Sequence, residues 1–132
     1  MDDWASRRRL RPTDVDEGMW PILERINSSG WVESTFSCAG HWVEDGEAWA
    51  SNPYVQVRVQ GRDLGRLVEC LQFAVEDSAS EEGVVDAHFV FHPDTLTTWR
   101  ASLHYLGADS RPVTEAVAAR GRALLLHFAG RL

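Results

Sequence analysis

Apolar residues recur along this chain with two periods, and the two periods alternate in blocks. Val15, Met19, Ile22, Leu23 and Ile26 fall three and four positions apart, which sets them on one face of a helix. Thr13-Asp14-Val15-Asp16 has the pattern of a helix capping box. Pro21 moves the expected regular start to near Met19, because proline suits a first turn and disrupts a helix interior. Asn27 to Gly30 closes this helix. A strand is expected over Trp31 to Ser37, and a clearer one over Tyr54 to Gln60, where Val55, Val57 and Val59 alternate with Tyr54, Gln56, Arg58 and Gln60.

The helical period returns from Gly61 to Ser78, with Leu64, Leu67, Val68, Leu71, Ala74 and Val75 as its apolar stripe. Alternation returns twice more. Val85, Ala87, Phe89 and Phe91 oppose Asp86, His88 and His92. After a turn at His92-Pro93-Asp94-Thr95, Trp99, Ala101, Leu103 and Tyr105 oppose Arg100, Ser102 and His104 within Leu96 to Leu106. Pro112 suits the first turn of a last helix reaching about Gly130, with Val113, Ala116, Val117, Leu124 and Phe128 inward. The order α-β-β-α-β-β-α implies an α/β protein of the α+β type: a single, mainly antiparallel sheet with helices on one face. Residues 1–12 are expected to form a flexible arm and 13–132 one domain. The two helix–strand–strand units share no convincing sequence identity, so any repeat is architectural.

Composition adjusts this picture in three ways. The net charge is −7, which argues against bulk nucleic-acid binding, although a local arginine patch could still hold an anion. All 13 basic residues are arginine, a usage that genome composition explains without a functional cause. The densest cluster, Arg7 to Arg11, lies in the arm and reads as a solvated tail. No apolar run approaches the ~18 residues of a membrane span, and the charged N-terminus does not read as a signal peptide. The expectation is a soluble, cytoplasmic protein. Its two cysteines, Cys38 and Cys70, are too few for a disulfide framework and should be free thiols.

Candidate chemistry lies in two places. If the apolar strand faces meet the helices, the opposite sheet face carries Tyr54, Gln56, Arg58, Asp86, His88, His92, Arg100, Ser102 and His104. That set includes three of the five histidines. Any half-buried sheet has a polar face, so a solvated surface is the plain reading. The functional reading is a surface for an anionic or partly aromatic ligand, with Arg58, His88, Arg100 and His104 as binding residues.

The second place is Ser34 to Trp42, STFSCAGHW, followed by a long connection to Pro53 of the kind that is often functional. Cys38 and His41 have the spacing of half a zinc site, but no second pair of ligands is evident. His88 and His92 would stand roughly 13 Å apart on a strand. No metal ligand set is therefore assigned. Cys38 and His41 also qualify as a nucleophile and its base, while the plain reading makes Cys38 a small buried filler and Gly40 a turn residue. Ser37 and Gly40 with the neighbouring hydroxyls could offer donors to an anion.

The Ser37-Cys38-x-Gly40 pattern resembles the Ser-Ser-Cys-Ser-Gly-Arg stretch of the wybutosine-synthesis tRNA methyltransferases. In that family too the motif follows an N-terminal helix near a strand end. The resemblance covers about a tenth of the chain, with Ala39 standing for the family's serine and His41 for its arginine. It implies a small α/β protein that uses S-adenosylmethionine without a Rossmann fold. The loss of the arginine and the acidic chain weaken the link to tRNA, so the resemblance bears more on a ligand site at this turn than on one reaction.

The sequence thus points to a small anionic or nucleotide-like ligand bound near Ser37, Cys38, Gly40 and His41 and extended by the polar face. A nucleic-acid-modifying enzyme would use such a site. No cofactor is assigned. The contrary expectation is a non-catalytic interaction module, or a homodimer, engaging partners through Trp4, Trp42 and Trp49 and an acidic surface.

Overall fold

A computed structural model describes residues 18–38, 53–82, 87–105 and 115–132, together with Asp16. Seven regular elements follow in the expected order: α1 (Trp20–Ser28), β1 (Val32–Cys38), β2 (Tyr54–Gln60), α2 (Leu64–Glu82), β3 (Ala87–Pro93), β4 (Thr98–Tyr105) and α3 (Glu115–Arg131). A single 3-10 turn, Gly61–Asp63, leads from β2 into α2. The expected arm, the loop from Ala39 to Asn52 with Gly40 and His41, and Trp4, Trp42 and Trp49 lie outside the described residues.

Pro21 sits in the first turn of α1, where its missing N–H costs no helical bond. The helix ends at Ser28, and Gly30 just beyond its cap has a φ of +85°, a conformation glycine adopts without steric cost. Met19, Ile22, Leu23 and Ile26 are buried, as their spacing requires. In α2 the buried stripe runs through Leu67, Cys70, Leu71 and Ala74 to Ser78, and Val68 is exposed. The stripe therefore lies one step round from the expected one, and Cys70 takes the core position assigned to Val68. Its thiol donates to the Arg131 carbonyl at 3.4 Å, and burial pushes its pKa up.

The four strands form one antiparallel sheet in the order β1-β2-β4-β3. The three described helices pack on the face carrying Val55, Val57, Val59, Ala101, Leu103 and Tyr105. Leu124, Leu125 and Phe128 of α3 close the core from above. Burial of such side chains contributes about 1.5–3 kcal/mol each. One polar group on the core side is accounted for: Asn27 donates to the Ser34 hydroxyl at 2.8 Å and accepts from the Ser34 N–H at 3.0 Å. α3 approaches the sheet closely because Gly121 has no side chain. A Cβ there would stand 2.7 Å from Pro53 Cγ and 2.9 Å from Tyr105 Cδ1.

β1 departs from simple alternation. A bulge between Ser34 and Phe36 inserts Thr35 and changes which residues face which side. The Thr35 hydroxyl is held at the bulge by the Gln56 carbonyl at 3.2 Å and Gln56 Oε1 at 2.9 Å. Beyond the bulge Phe36 stands opposite Gln56, Ser37 opposite Val55 and Cys38 opposite Tyr54. No helix among the described residues is long and apolar enough to cross a membrane.

Candidate functional site

The sheet face away from the helices is organised in cross-strand rows, because residues paired between antiparallel strands share a side. One row is Cys38, Tyr54, His104 and His88; the next is Phe36, Gln56, Ser102 and Val90; the third is Glu33, Arg58, Arg100 and His92. The first and third rows are four residues apart along each of β2 and β4, or roughly 13 Å. The histidines and the arginines thus form two neighbouring subsites on one surface.

In the first row the Tyr54 and His104 rings stack with centroids 5.1 Å apart and planes 25° from parallel. Burial pushes the Tyr54 hydroxyl pKa up, and nearby Cys38 and Asp16 add to this. Burial also pushes His104 down, and the facing His88 reinforces the shift. Both effects favour the neutral ring: a phenol that donates beside an imidazole that keeps one accepting nitrogen. Cys38 is buried, in no disulfide, and stands next to Tyr54.

The middle row is fixed by hydrogen bonds. Gln56 Nε2 donates to the Ser102 hydroxyl at 3.2 Å while its Oε1 accepts from Thr35, so the amide is held from both ends. Phe36 stands at the outer end of this row and is 62% exposed. An aromatic ring so placed is free to stack.

In the third row Arg58 and Arg100 stand directly opposite each other, an arrangement that like charge disfavours. Asp94, in the turn between β3 and β4, resolves it. Arg58 Nε donates to Asp94 Oδ2 at 2.7 Å, and Arg100 Nε lies 2.8 Å from Asp94 Oδ1. The second contact is an ion pair whose N–H is not aligned on the oxygen, so Arg100 Nε has no hydrogen-bond partner among the described residues. Burial opposes the Asp94 charge. The Arg58 hydrogen bond, the two guanidinium charges and the Thr98 hydroxyl outweigh it and hold the carboxyl below its ordinary value.

Comparison with known proteins adds to the fold. No family model matches the chain, and no curated protein matches it. A solved structure does: the PH1069 protein from Pyrococcus horikoshii superposes with a TM-score of 0.55 at 15% identity, covering 96% of this chain and 87% of that one. The two proteins share an architecture.

Of the residues singled out from the sequence, Arg58, Arg100, His88 and His104 are brought to one face, in two facing pairs. A groove of ≈ 400 Å³ at the end of the sheet takes in Trp31, Glu33, Arg58, Arg62 and Asp63 but neither histidine nor Arg100. Ser37 pairs with Val55, on the helix side of β1, so it is Cys38 that shares the face of Tyr54. Gly40 and His41 lie outside the described residues. No three His, Cys, Asp or Glu side chains gather as a metal site among the described residues. Two members of the surface escaped the sequence reading. Phe36 is turned outward by the bulge, and Asp94, read only as a turn residue, joins the arginines. The sole sequence signal for Asp94 is a carboxylate two residues after His92 at a strand end.

Proposed function

We propose that the open face of the sheet is the working surface of this protein and binds a small anionic, nucleotide-like ligand. One observation carries the reading: a stacked aromatic–imidazole pair and a fixed guanidinium pair stand on the same two strands of a face that no described helix covers. A planar ring would stack beside Tyr54, His104 or the exposed Phe36, and an oxyanion would meet Arg58 and Arg100. Side chains already held by Thr35, Ser102 and Asp94 lose little freedom on binding, which favours affinity.

The resemblance to the wybutosine-synthesis tRNA methyltransferases adds S-adenosylmethionine as a ligand to test and nucleic-acid modification as the use. Cys38 and His41 are then the residues nearest the chemistry. Two cysteines in no disulfide suit a cytoplasmic setting. A thermal-shift screen with nucleotides, S-adenosylmethionine and divalent metals decides the matter, since a ligand of the native state raises Tm. The expected result is a rise with a nucleotide-like compound that Arg58→Ala and His104→Ala both reduce. A screen without a rise, or a rise untouched by both substitutions, refutes it. A second reading, a non-catalytic interaction module or homodimer, draws on exposed Phe36 on β1, the outer strand of the sheet among the described residues. It requires concentration-dependent association that Phe36→Ser abolishes, measured by light scattering.

A further inference from the structure

Arg58 and Arg100 are an unusual pair to keep at the centre of a sheet. They face each other on adjacent strands, where like charges repel, and a single carboxylate serves both. That carboxylate meets each guanidinium at Nε. Among the described residues the Nη groups of both arginines have no hydrogen-bond partner, and the side chains are 38% and 40% exposed. Asp94 itself is only 9% exposed, and its turn is closed by its own N–H to the Thr98 carbonyl at 3.0 Å. The arrangement is therefore a largely covered acid behind two guanidiniums that remain partly exposed to solvent.

We propose that Arg58 and Arg100 form a site for a singly charged oxyanion, a carboxylate or a phosphodiester, and that Asp94 is the positioning residue that aims the pair and limits the charge it accepts. The inference rests on the open face being a ligand surface and specifies the anion that surface takes. The planar N–H groups of a guanidinium match the oxygen geometry of such groups. The charge limit follows from a count: two guanidiniums and one ionised carboxylate leave one positive charge. Glu33 opposite Arg58 and His92 opposite Arg100 complete the row. Glu33 is exposed and forms no ion pair with Arg58, so it lowers the local field further without closing the site. His92 is exposed.

The test uses simple anions on the intact protein, followed through the arginine Nε–H signals in nitrogen-15 NMR spectra. Dimethyl phosphate and acetate are monoanions. Methyl phosphate is a dianion at about pH 8, because the second pKa of such a phosphate is about 6. Saturable shifts of both Arg58 and Arg100 with dimethyl phosphate or acetate are expected, and the stronger of the two names the group. Asp94→Asn should raise the affinity for methyl phosphate relative to dimethyl phosphate by about tenfold, the scale of one unit charge a few ångströms away at a partly exposed site. A role confined to holding the turn would leave that ratio unchanged. An unchanged ratio, or wild-type shifts at one arginine or neither, overturns the proposal. The wild-type measurement stands even if Asp94→Asn does not fold. If a nucleotide-like compound raises Tm while these anions leave both arginines unmoved, this inference fails and the broader reading survives.

Discussion

At the residue scale, the open face is defined by groups whose titration its surroundings have shifted. His104 is the clearest. Burial first, and the facing His88 second, press its pKa below the ordinary histidine value. The unfolded chain therefore takes up this proton at a higher pH than the folded protein. The stability linked to His104 is fully present above about pH 6.5, the unfolded value, and is lost as pH falls from there through the lower folded value. The C2–H resonance of His104 should titrate below that of an exposed histidine. His88→Gln should move it part of the way back and no further, because burial is the larger cause. A midpoint unchanged by His88→Gln would remove the coupling between the two rings. That these histidines share a face was legible in the sequence, since alternation put His88 and His104 on one side; that they stand directly opposite each other comes from the strand order. The partner of the arginines was not, because a turn aspartate carries no periodicity to say which way it points.

At the element scale, the pattern located every strand and helix among the described residues and failed where geometry is decided by packing. The bulge in β1 has no glycine or proline to announce it. It arises where Thr35 bonds to Gln56, a contact with a strand about 20 residues further on. Its effect is to turn Phe36 outward and to place Cys38 rather than Ser37 beside Tyr54. The shift of the α2 stripe from Val68 to Cys70 has the same origin, as the packing of α3 decides which neighbour is covered. Gly121 shows the strength of such packing. Replacing it with alanine would gain up to about 1 kcal/mol of helix propensity, but the new methyl would meet Pro53 and Tyr105 at under 3 Å. Overpacking of that kind costs about 1–3 kcal/mol, so Gly121→Ala should destabilise the protein. Gly130, in the same helix, has nothing within 4 Å of its would-be Cβ. Gly130→Ala should leave stability equal or slightly raised. Urea midpoints of the two variants give the comparison, and equal midpoints would mean that α3 can move off the sheet at little cost.

At the scale of the whole molecule, one sheet serves two purposes on its two sides. The helix side holds the core, where Leu103 is 2% exposed, and the other side holds a polar array fixed by its own hydrogen bonds. If the second side is the ligand surface, stability and binding should separate under mutation. Leu103→Ala empties a core position and should cost about 2–5 kcal/mol while the ligand-induced rise in Tm persists. Phe36→Ser removes an exposed ring and should change stability by less than about 0.5 kcal/mol. It should nevertheless diminish the rise, because the lost contact belongs to the complex and not to the fold. Both are read from urea denaturation of the free protein together with thermal shift in the presence of S-adenosylmethionine or whichever nucleotide binds. Phe36→Ser as costly as Leu103→Ala would show that Phe36 is held by the protein itself, and the open face would then lose its most accessible stacking ring. The reverse pairing, with binding lost in Leu103→Ala and retained in Phe36→Ser, would move the ligand to the helix side of the sheet.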